Sequence, residues 1–250
     1  MTEILVLALG TWVAAAVGAS AVAFVRKGCG GAADIVLGFG AGVILMVAFT
    51  ELLHPAIHRA EAYAAWPAWV VVPLAFGLGV AGTWLLDRYI CRHSECRGRY
   101  KRGIVLLGAL SAHNIPEGFA LGVLLGTVGQ GCCGKGIWGA VAMAAAMAMH
   151  KFPEGAAIAV AFQKEGLGRL KSFAVGQATG ILGFATGLLG FFVAANINAA
   201  LPYAMAFAGG AMLWVTVYEL IPSIKNRKAT IAIPLGVLLI LVVDATLHVH

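Results

Sequence analysis

The sequence predicts an all-α polytopic membrane protein with eight transmembrane helices. The 250-residue chain is 61% hydrophobic and only 11% charged, which is too apolar for a soluble domain. Its apolar residues come in runs of about 20, the helix length needed to cross a bilayer. These runs mostly lack the polar stripe of a soluble helix. We place the eight segments at residues 3–25, 33–57, 67–88, 103–127, 137–162, 172–195, 199–223 and 229–248.

The basic residues indicate how these segments are oriented. All but three of the 17 basic residues fall after the first, third, fifth and seventh segments. By the positive-inside rule those loops are cytoplasmic, so both termini are expected outside the cell membrane (inner or plasma membrane). The net charge of +6 therefore indicates orientation and not nucleic-acid binding. We interpret residues 1–250 as one transmembrane transport domain, with residues 89–102 as a cytoplasmic loop. In that loop Cys91, His93 and Cys96 form only a weak zinc signature.

The fourth and fifth segments carry near copies of one motif. HNIPEG at residues 113–118 is followed by HKFPEG at residues 150–155. In each copy a His and a Glu lie four residues apart and share one helix face, and a Pro before the Glu frees a backbone carbonyl. A His and a carboxylate within hydrocarbon are costly unless they face a partner, a cavity or a metal. The two pairs can converge as a His₂Glu₂ set, which suits a divalent transition metal.

The second and seventh segments share a second pattern. GFGAGVILMVAFTELLHP and AFAGGAMLWVTVYELIPS keep small, apolar and acidic residues in register, with Glu51 matching Glu219. Because the two segments run in opposite directions across the membrane, the match predicts an inverted-topology repeat with a substrate site near the midplane. Glu51 is then expected toward the outer mouth of the pathway and Glu219 toward the inner one. His54 follows Glu51 on the same face, and His58 and Glu61 continue beyond it.

Together these motifs resemble the ZIP family of divalent-metal transporters (zinc- and iron-regulated transporter-like), and its bacterial branch most of all. The resemblance covers most of the chain and rests mainly on HNIPEG, HKFPEG and the ELIP of the seventh segment. It implies a 3+2+3 arrangement in which helices 1–3 and 6–8 are inverted repeats. It also implies that His113, Glu117, His150 and Glu154 hold the transported metal, with Asn114 assisting at a neighbouring site.

The sequence departs from the two-metal members of that family at two positions. Those members carry an acidic residue directly after the first residue of the fifth-segment motif and another carboxylate on the sixth helix. Here Lys151 and Gly183 stand at those positions. A protonated lysine cannot ligate a metal and repels a second cation. We therefore hypothesise a single-metal site in which Lys151 takes the electrostatic place of the second ion.

The sequence predicts a transporter of divalent metal ions into the cytoplasm, and not an enzyme. Imidazole and carboxylate ligands suit Zn²⁺ first and Fe²⁺, Mn²⁺, Co²⁺ or Cd²⁺ as well. The expected partners are the transported ion and the lipid bilayer, with no resident cofactor and no nucleic acid; small-residue faces on the third and sixth segments would permit a homodimer.

Two other functions remain as alternatives. The first is an intramembrane zinc metalloenzyme that uses the same His and Glu ligands, although the sequence has no HExxH motif and no spare nucleophile or base. The second is a scaffold in which the His–Glu pairs are structural contacts between helices, which two near-identical copies argue against.

Overall fold

The computed structural model describes residues 2–24, 30–93, 136–193 and 200–248, with ten positions of the fourth predicted segment: Leu107, Gly108, Ser111, Asn114, Ile115, Gly118, Phe119, Leu121, Gly122 and Leu125. All regular structure in these residues is helical, and none of them forms a strand. The all-α class is therefore confirmed for the part of the chain that is described.

The helices follow the predicted segments closely. Helix α1 (Thr2–Ala19) ends in a 3₁₀ turn, and α2 (Gly30–Val47) continues through a π turn (Ala48–Leu53) into α3 (His54–Tyr63). They are followed by α4 (Ala68–His93), α5 (Gly136–Lys164), α6 (Arg169–Val193), α7 (Leu201–Val215) and α8 (Ala232–His248). A second π turn (Thr216–Leu220) and a 3₁₀ turn (Ile221–Ser223) extend α7, and a 3₁₀ turn (Arg227–Ile231) precedes α8.

The structure differs from the prediction in the length of α4, and it describes the fourth segment only in part. Helix α4 continues to His93, inside the loop predicted at residues 89–102, and the rest of that loop lies outside the described residues. The fourth predicted segment is described at ten positions only, all of them helical.

Several helices have the length and composition of membrane spans. Among the described residues, Gly31–Tyr63, Ala68–Tyr89, Arg169–Phe192 and Leu201–Ser223 are long and apolar enough to cross a bilayer, and Leu9–Ala23 is a shorter apolar helix. Trp66 and Trp69 lie just before and at the start of α4 and are 68% and 78% exposed. Exposed tryptophans at a helix end are typical of the membrane–water interface. The described helices are those of an all-α membrane protein.

Four pairs of helices cross through glycines in the same reciprocal way. Where α2 crosses α8, a Cβ on Gly42 would collide with the carbonyl of Ile233, and one on Gly236 with the carbonyl of Phe39. Each glycine thus faces the carbonyl three residues before the partner glycine, an approach that any side chain would block. The same arrangement joins α4 to α7 (Gly79 to Phe207, Gly210 to Phe76), α1 to α5 (Gly18 to Phe152, Gly155 to Ala15) and the fourth segment to α6 (Gly122 to Gly187, Gly190 to Phe119).

The crossing of α2 with α8 corresponds to that of α4 with α7 residue for residue. One shift along the sequence carries Phe39 and Gly42 onto Phe207 and Gly210. Phe207 and Gly210 pack against Phe76 and Gly79 of α4, just as Phe39 and Gly42 pack against Ile233 and Gly236 of α8. A second constant shift carries Phe76 and Gly79 onto Ile233 and Gly236. The first shift also carries Glu51 onto Glu219. The second and seventh segments therefore match in packing as well as in sequence.

The helices pack as two groups joined by α2. Helix α1 packs on α5 and α6, which also pack on each other, while α4 packs on α7 and α2 on α8. Helix α2 also packs on α5, where a Cβ on Gly40 would lie 3.4 Å from the carbonyl oxygen of Pro153. The largest buried cluster spans this contact, with Leu37 and Ile44 on one side and Ile158 on the other. The helix that carries the HKFPEG motif is thus held against α2.

A buried carboxylate on α2 bonds to α5 and to the segment after α7, at the end of these helices that is predicted to be cytoplasmic. Asp34, near the start of α2, is 2% exposed. The Lys164 ammonium at the end of α5 donates to Asp34 Oδ1 at 2.5 Å, and the backbone N–H of Asn226 donates to Oδ2 at 2.8 Å. Lys164 also donates to the carbonyl of Ser223 at 3.1 Å. These bonds join α2, α5 and the segment after α7.

The glycine crossings predict a difference between two glycines of α4. A Cβ on Gly79 would overlap the Phe207 carbonyl, whereas a Cβ on Gly77 would have no atom within 4 Å. Gly79→Ala should lower the free energy of unfolding by about 1–3 kcal/mol through overpacking. Gly77→Ala should not lower it, because alanine favours the helix more than glycine does. Thermal unfolding of both variants in detergent measures this, and equal melting temperatures would contradict the crossing.

Candidate metal centre

The predicted ligands are described to different extents. His113 and Glu117 lie outside the described residues, and for His150 the structure gives only its place in α5. Asn114 and Glu154 are described fully and are almost completely buried, with 0% and 1% of their surface exposed. These two residues come from the two copies of the motif, and the structure brings them into direct contact.

Asn114, Lys151 and Glu154 form a closed ring of polar contacts. Asn114 Nδ2 donates to Glu154 Oε1 at 2.7 Å, and Lys151 Nζ donates to Glu154 Oε2 at 2.7 Å. Lys151 also donates to the side-chain oxygen of Asn114. The ammonium therefore touches a residue from each motif copy, and both oxygens of the carboxylate accept hydrogen bonds.

The local sequence of α5 explains why Lys151 and Glu154 meet. They are three residues apart and thus lie on one face of the helix. Pro153 between them is accommodated without a break in α5, although its ring removes the N–H bond to the carbonyl four residues earlier. The neighbouring positions Ala156, Ala157 and Ile158 are 2% exposed or less. The pair is therefore held in apolar surroundings, where an uncompensated ion would cost several kcal/mol.

Helix α6 closes the cluster with small residues and backbone groups. Asn114 Nδ2 lies 3.4 Å from the carbonyl oxygen of Thr179, and the hydroxyl of Thr186 lies 3.4 Å from the carbonyl oxygen of Asn114. A Cβ on Gly118 would collide with the carbonyl of Gly183. The fourth segment therefore packs closely against α6 at Gly183, the position at which a carboxylate is missing.

Glu51 and Glu219 lie in the two π turns and are both half-buried. In these turns the N–H groups of His54 and Ile221 bond to carbonyls five residues earlier, those of Phe49 and Thr216. Short π turns inside α-helices are frequent at functional sites. The sequence analysis did not predict them, although a proline soon after each glutamate (Pro55 and Pro222) is a signal of altered helix bonding.

The described residues do not by themselves form a complete metal site. Among them, no group of three or more His, Cys, Asp or Glu side chains could hold a metal, and this set leaves out His113, Glu117 and the His150 side chain. A carboxylate has about four lone-pair positions, so an oxygen that accepts a hydrogen bond can also ligate a cation.

Comparison with known proteins gives the family. Residues 90–244 match the family described as "ZIP Zinc transporter". The chain belongs to this family. Its similar relatives include zinc transporter ZIP11 of Xenopus tropicalis, which is 38% identical over 123 residues, or 49% of this chain and 36% of the relative. Human zinc transporter ZIP11 is 34% identical over 152 residues (59% and 44%), and zinc transporter GufA of Myxococcus xanthus is 31% identical over 153 residues (60% and 58%).

Membership in the ZIP family confirms the resemblance predicted from the motifs. The family description and the named relatives are those of zinc transporters and not of enzymes, which argues against the metalloenzyme alternative. The chain spans about half the length of the curated relatives that it matches. The matched region includes both motif copies, the Lys151–Glu154 pair and Glu219.

The buried pair predicts a strong energetic coupling. Glu154→Gln leaves the Lys151 ammonium without its carboxylate, and Lys151→Met leaves the carboxylate without its ammonium, so each should destabilise the protein by about 3–5 kcal/mol. The double variant should lose clearly less unfolding free energy than the two single variants lose in sum, because it leaves neither member of the pair without its partner. Unfolding of the four proteins in detergent measures the coupling energy.

The matched control uses the other ion pair of α5. Lys164→Met removes the partner of Asp34 at the far end of the helix, so its effect should add to that of Glu154→Gln. Additive effects of Lys151→Met and Glu154→Gln would contradict the pairing.

Proposed function

We propose that this chain transports divalent metal ions, zinc first among them, across the cell membrane into the cytoplasm. Membership in the ZIP family supports the proposal, as do relatives that are themselves named zinc transporters. The ligand types support it as well, because imidazole and carboxylate together favour zinc among the common divalent metals and also accept Fe²⁺, Mn²⁺, Co²⁺ and Cd²⁺.

For the architecture we propose eight spans in a 3+2+3 arrangement, with inverted repeats and both termini outside. The matching glycine crossings and the matching π turns at Glu51 and Glu219 support the repeat. The alternation of basic loops supports the orientation. Transport proteins built in this way place their substrate between the repeats near the bilayer midplane.

We place the transported ion between the fourth segment and α5. His113 and Glu117 on one side and His150 and Glu154 on the other would supply its ligands, with Asn114 beside them. The contact between Asn114 and Glu154 supports this placement, because it brings the two motif copies together. Glu51 and Glu219 would serve as the outer entrance and the inner exit.

The single observation that carries the proposed site is the position of Lys151. Its ammonium contacts both Glu154 and Asn114, and its side chain is 5% exposed. In this place it supplies a positive charge that a second metal ion would otherwise provide. A dication brought to about 4 Å from it would meet a repulsion of about 8 kcal/mol at an effective dielectric constant of 20. We therefore propose that the site holds one metal ion.

Transport itself can be tested in liposomes that contain the purified chain. Uptake of Zn²⁺, Fe²⁺, Mn²⁺ and Cd²⁺ should be saturable for at least one ion, and His113→Ala and Glu117→Gln should abolish it by removing ligands. Ile115→Val, an exposed position between the two, is the matched control and should leave uptake intact. Protein that still folds but takes up none of these ions would refute the proposal.

The number of ions can be counted by anomalous scattering at the zinc edge. Wild-type protein should show one peak between the motif copies. Lys151→Asp replaces the ammonium with a ligand and should add a second peak about 3.5–4 Å away, the separation found in two-metal sites. Lys151→Met, which removes the charge without adding a ligand, should keep one peak. Two peaks in the wild-type protein would contradict the single-ion site.

A further inference from the structure

Two histidines lie one turn apart on α3, just beyond the π turn that contains Glu51. His54 Nε2 and His58 Nε2 are 3.3 Å apart, and the two rings meet edge to face with centroids 4.7 Å apart. Both residues are exposed, and the His58 side chain has 64% of its surface free. The two Nε2 atoms are therefore within hydrogen-bonding distance of each other, at a position that solvent reaches.

Their separation is that of two ligands on one zinc ion. Zinc–nitrogen bonds are about 2.0–2.1 Å long, so two nitrogens at a tetrahedral angle lie about 3.4 Å apart. The observed 3.3 Å between the nitrogens matches this spacing. Zinc binding would replace the hydrogen bond between the rings, and a rotation of these exposed side chains would direct both Nε2 lone pairs at the ion. Positions four apart on a helix share a face, which explains how one short element presents both rings.

The Glu61 carboxylate lies beside His58, on the side of the ring away from His54, where it favours metal binding. Its Oε2 lies 3.7 Å from His58 Nδ1, the ring nitrogen that does not face His54. A carboxylate there favours the proton on Nδ1 and leaves the lone pair of Nε2 for a metal, as in carboxylate–histidine–zinc groups. Glu61 is 62% exposed, so this contact is open to water.

We propose that His54 and His58 bind one zinc ion in a two-histidine site whose remaining positions are filled by water. The site is separate from the buried centre, because its ligands come from one exposed turn of α3 and include no buried group. With two protein ligands and free access to solvent, it exchanges its ion readily. Its use as a capture site at the outer mouth rests on the proposed transport function, whereas the binding itself does not.

Zinc binding by the full chain in detergent tests the site directly. Four proteins are compared by equilibrium dialysis: wild type, His54→Ala/His58→Ala, His150→Ala, and the triple variant. The His54→Ala/His58→Ala variant should bind one zinc ion fewer than wild type, and the triple variant one fewer than His150→Ala. The control Ile57→Ala/Tyr63→Ala changes two exposed α3 residues that are not histidines and should bind as wild type does. An unchanged zinc count in the double histidine variant would overturn the proposal.

The same proteins show whether the two-histidine site and zinc transport hold independently of each other. If the chain transports zinc, the double histidine variant should show a higher KM with its maximal rate kept, as expected when binding outside the rate-limiting step is removed. If the chain does not transport zinc but the double variant still binds one ion fewer, the transport proposal fails and the two-histidine site stands. An unchanged zinc count refutes the site whether or not transport occurs.

Discussion

The structure of the site depends on the ion pair between Lys151 and Glu154 being buried and hydrogen-bonded. Asn114 binds both members, which is possible only because the fourth segment approaches α6 through Gly118 and Gly183. A side chain at Gly118 would collide with the carbonyl of Gly183, push Asn114 away from α6 and leave the charges with fewer partners. Since an unpaired buried charge costs more than most single contacts provide, close helix packing and the polar ring support each other.

In the proposed site, the same pair would also decide which charges can bind. With neutral histidines, the two glutamates of the motifs and the ammonium sum to one negative charge, so one dication changes the net charge to +1 and a second would raise it to +3. A second dication would find a hydrogen-bonded ammonium near the place where it must bind. In apolar surroundings such a charge excess has little solvent to screen it. The proposed single-ion site thus follows from both departures from the two-metal pattern, Lys151 in place of an acid and Gly183 in place of a carboxylate.

The sequence predicted most of the fold and only part of the site, for physical reasons. Hydropathy locates helices well because the bilayer imposes a length and a composition on each span. That Lys151 and Glu154 share a helix face follows from their spacing of three residues, whereas the contact of Lys151 with Asn114 depends on how two helices pack. The π turns were not predictable, because one extra residue in a turn depends on backbone bonds that hydropathy does not register. Nor was the Asp34–Lys164 contact, whose partners lie far apart in sequence and meet only through the packing of α2 on α5.

The two proposed metal sites differ in the way that a pathway requires. An ion that leaves water needs ligands strong enough to replace its hydration and weak enough to release it. The exposed pair His54 and His58 replaces part of the hydration shell and leaves the rest in place. The centre around Glu154 offers anionic oxygen and imidazole where water is scarce, so it can replace the shell completely. Glu51 lies three residues before His54, in a π turn whose geometry is repeated at Glu219. If both proposed sites hold zinc, dehydration is divided between an exposed site and a buried one, each with a smaller cost than a single step.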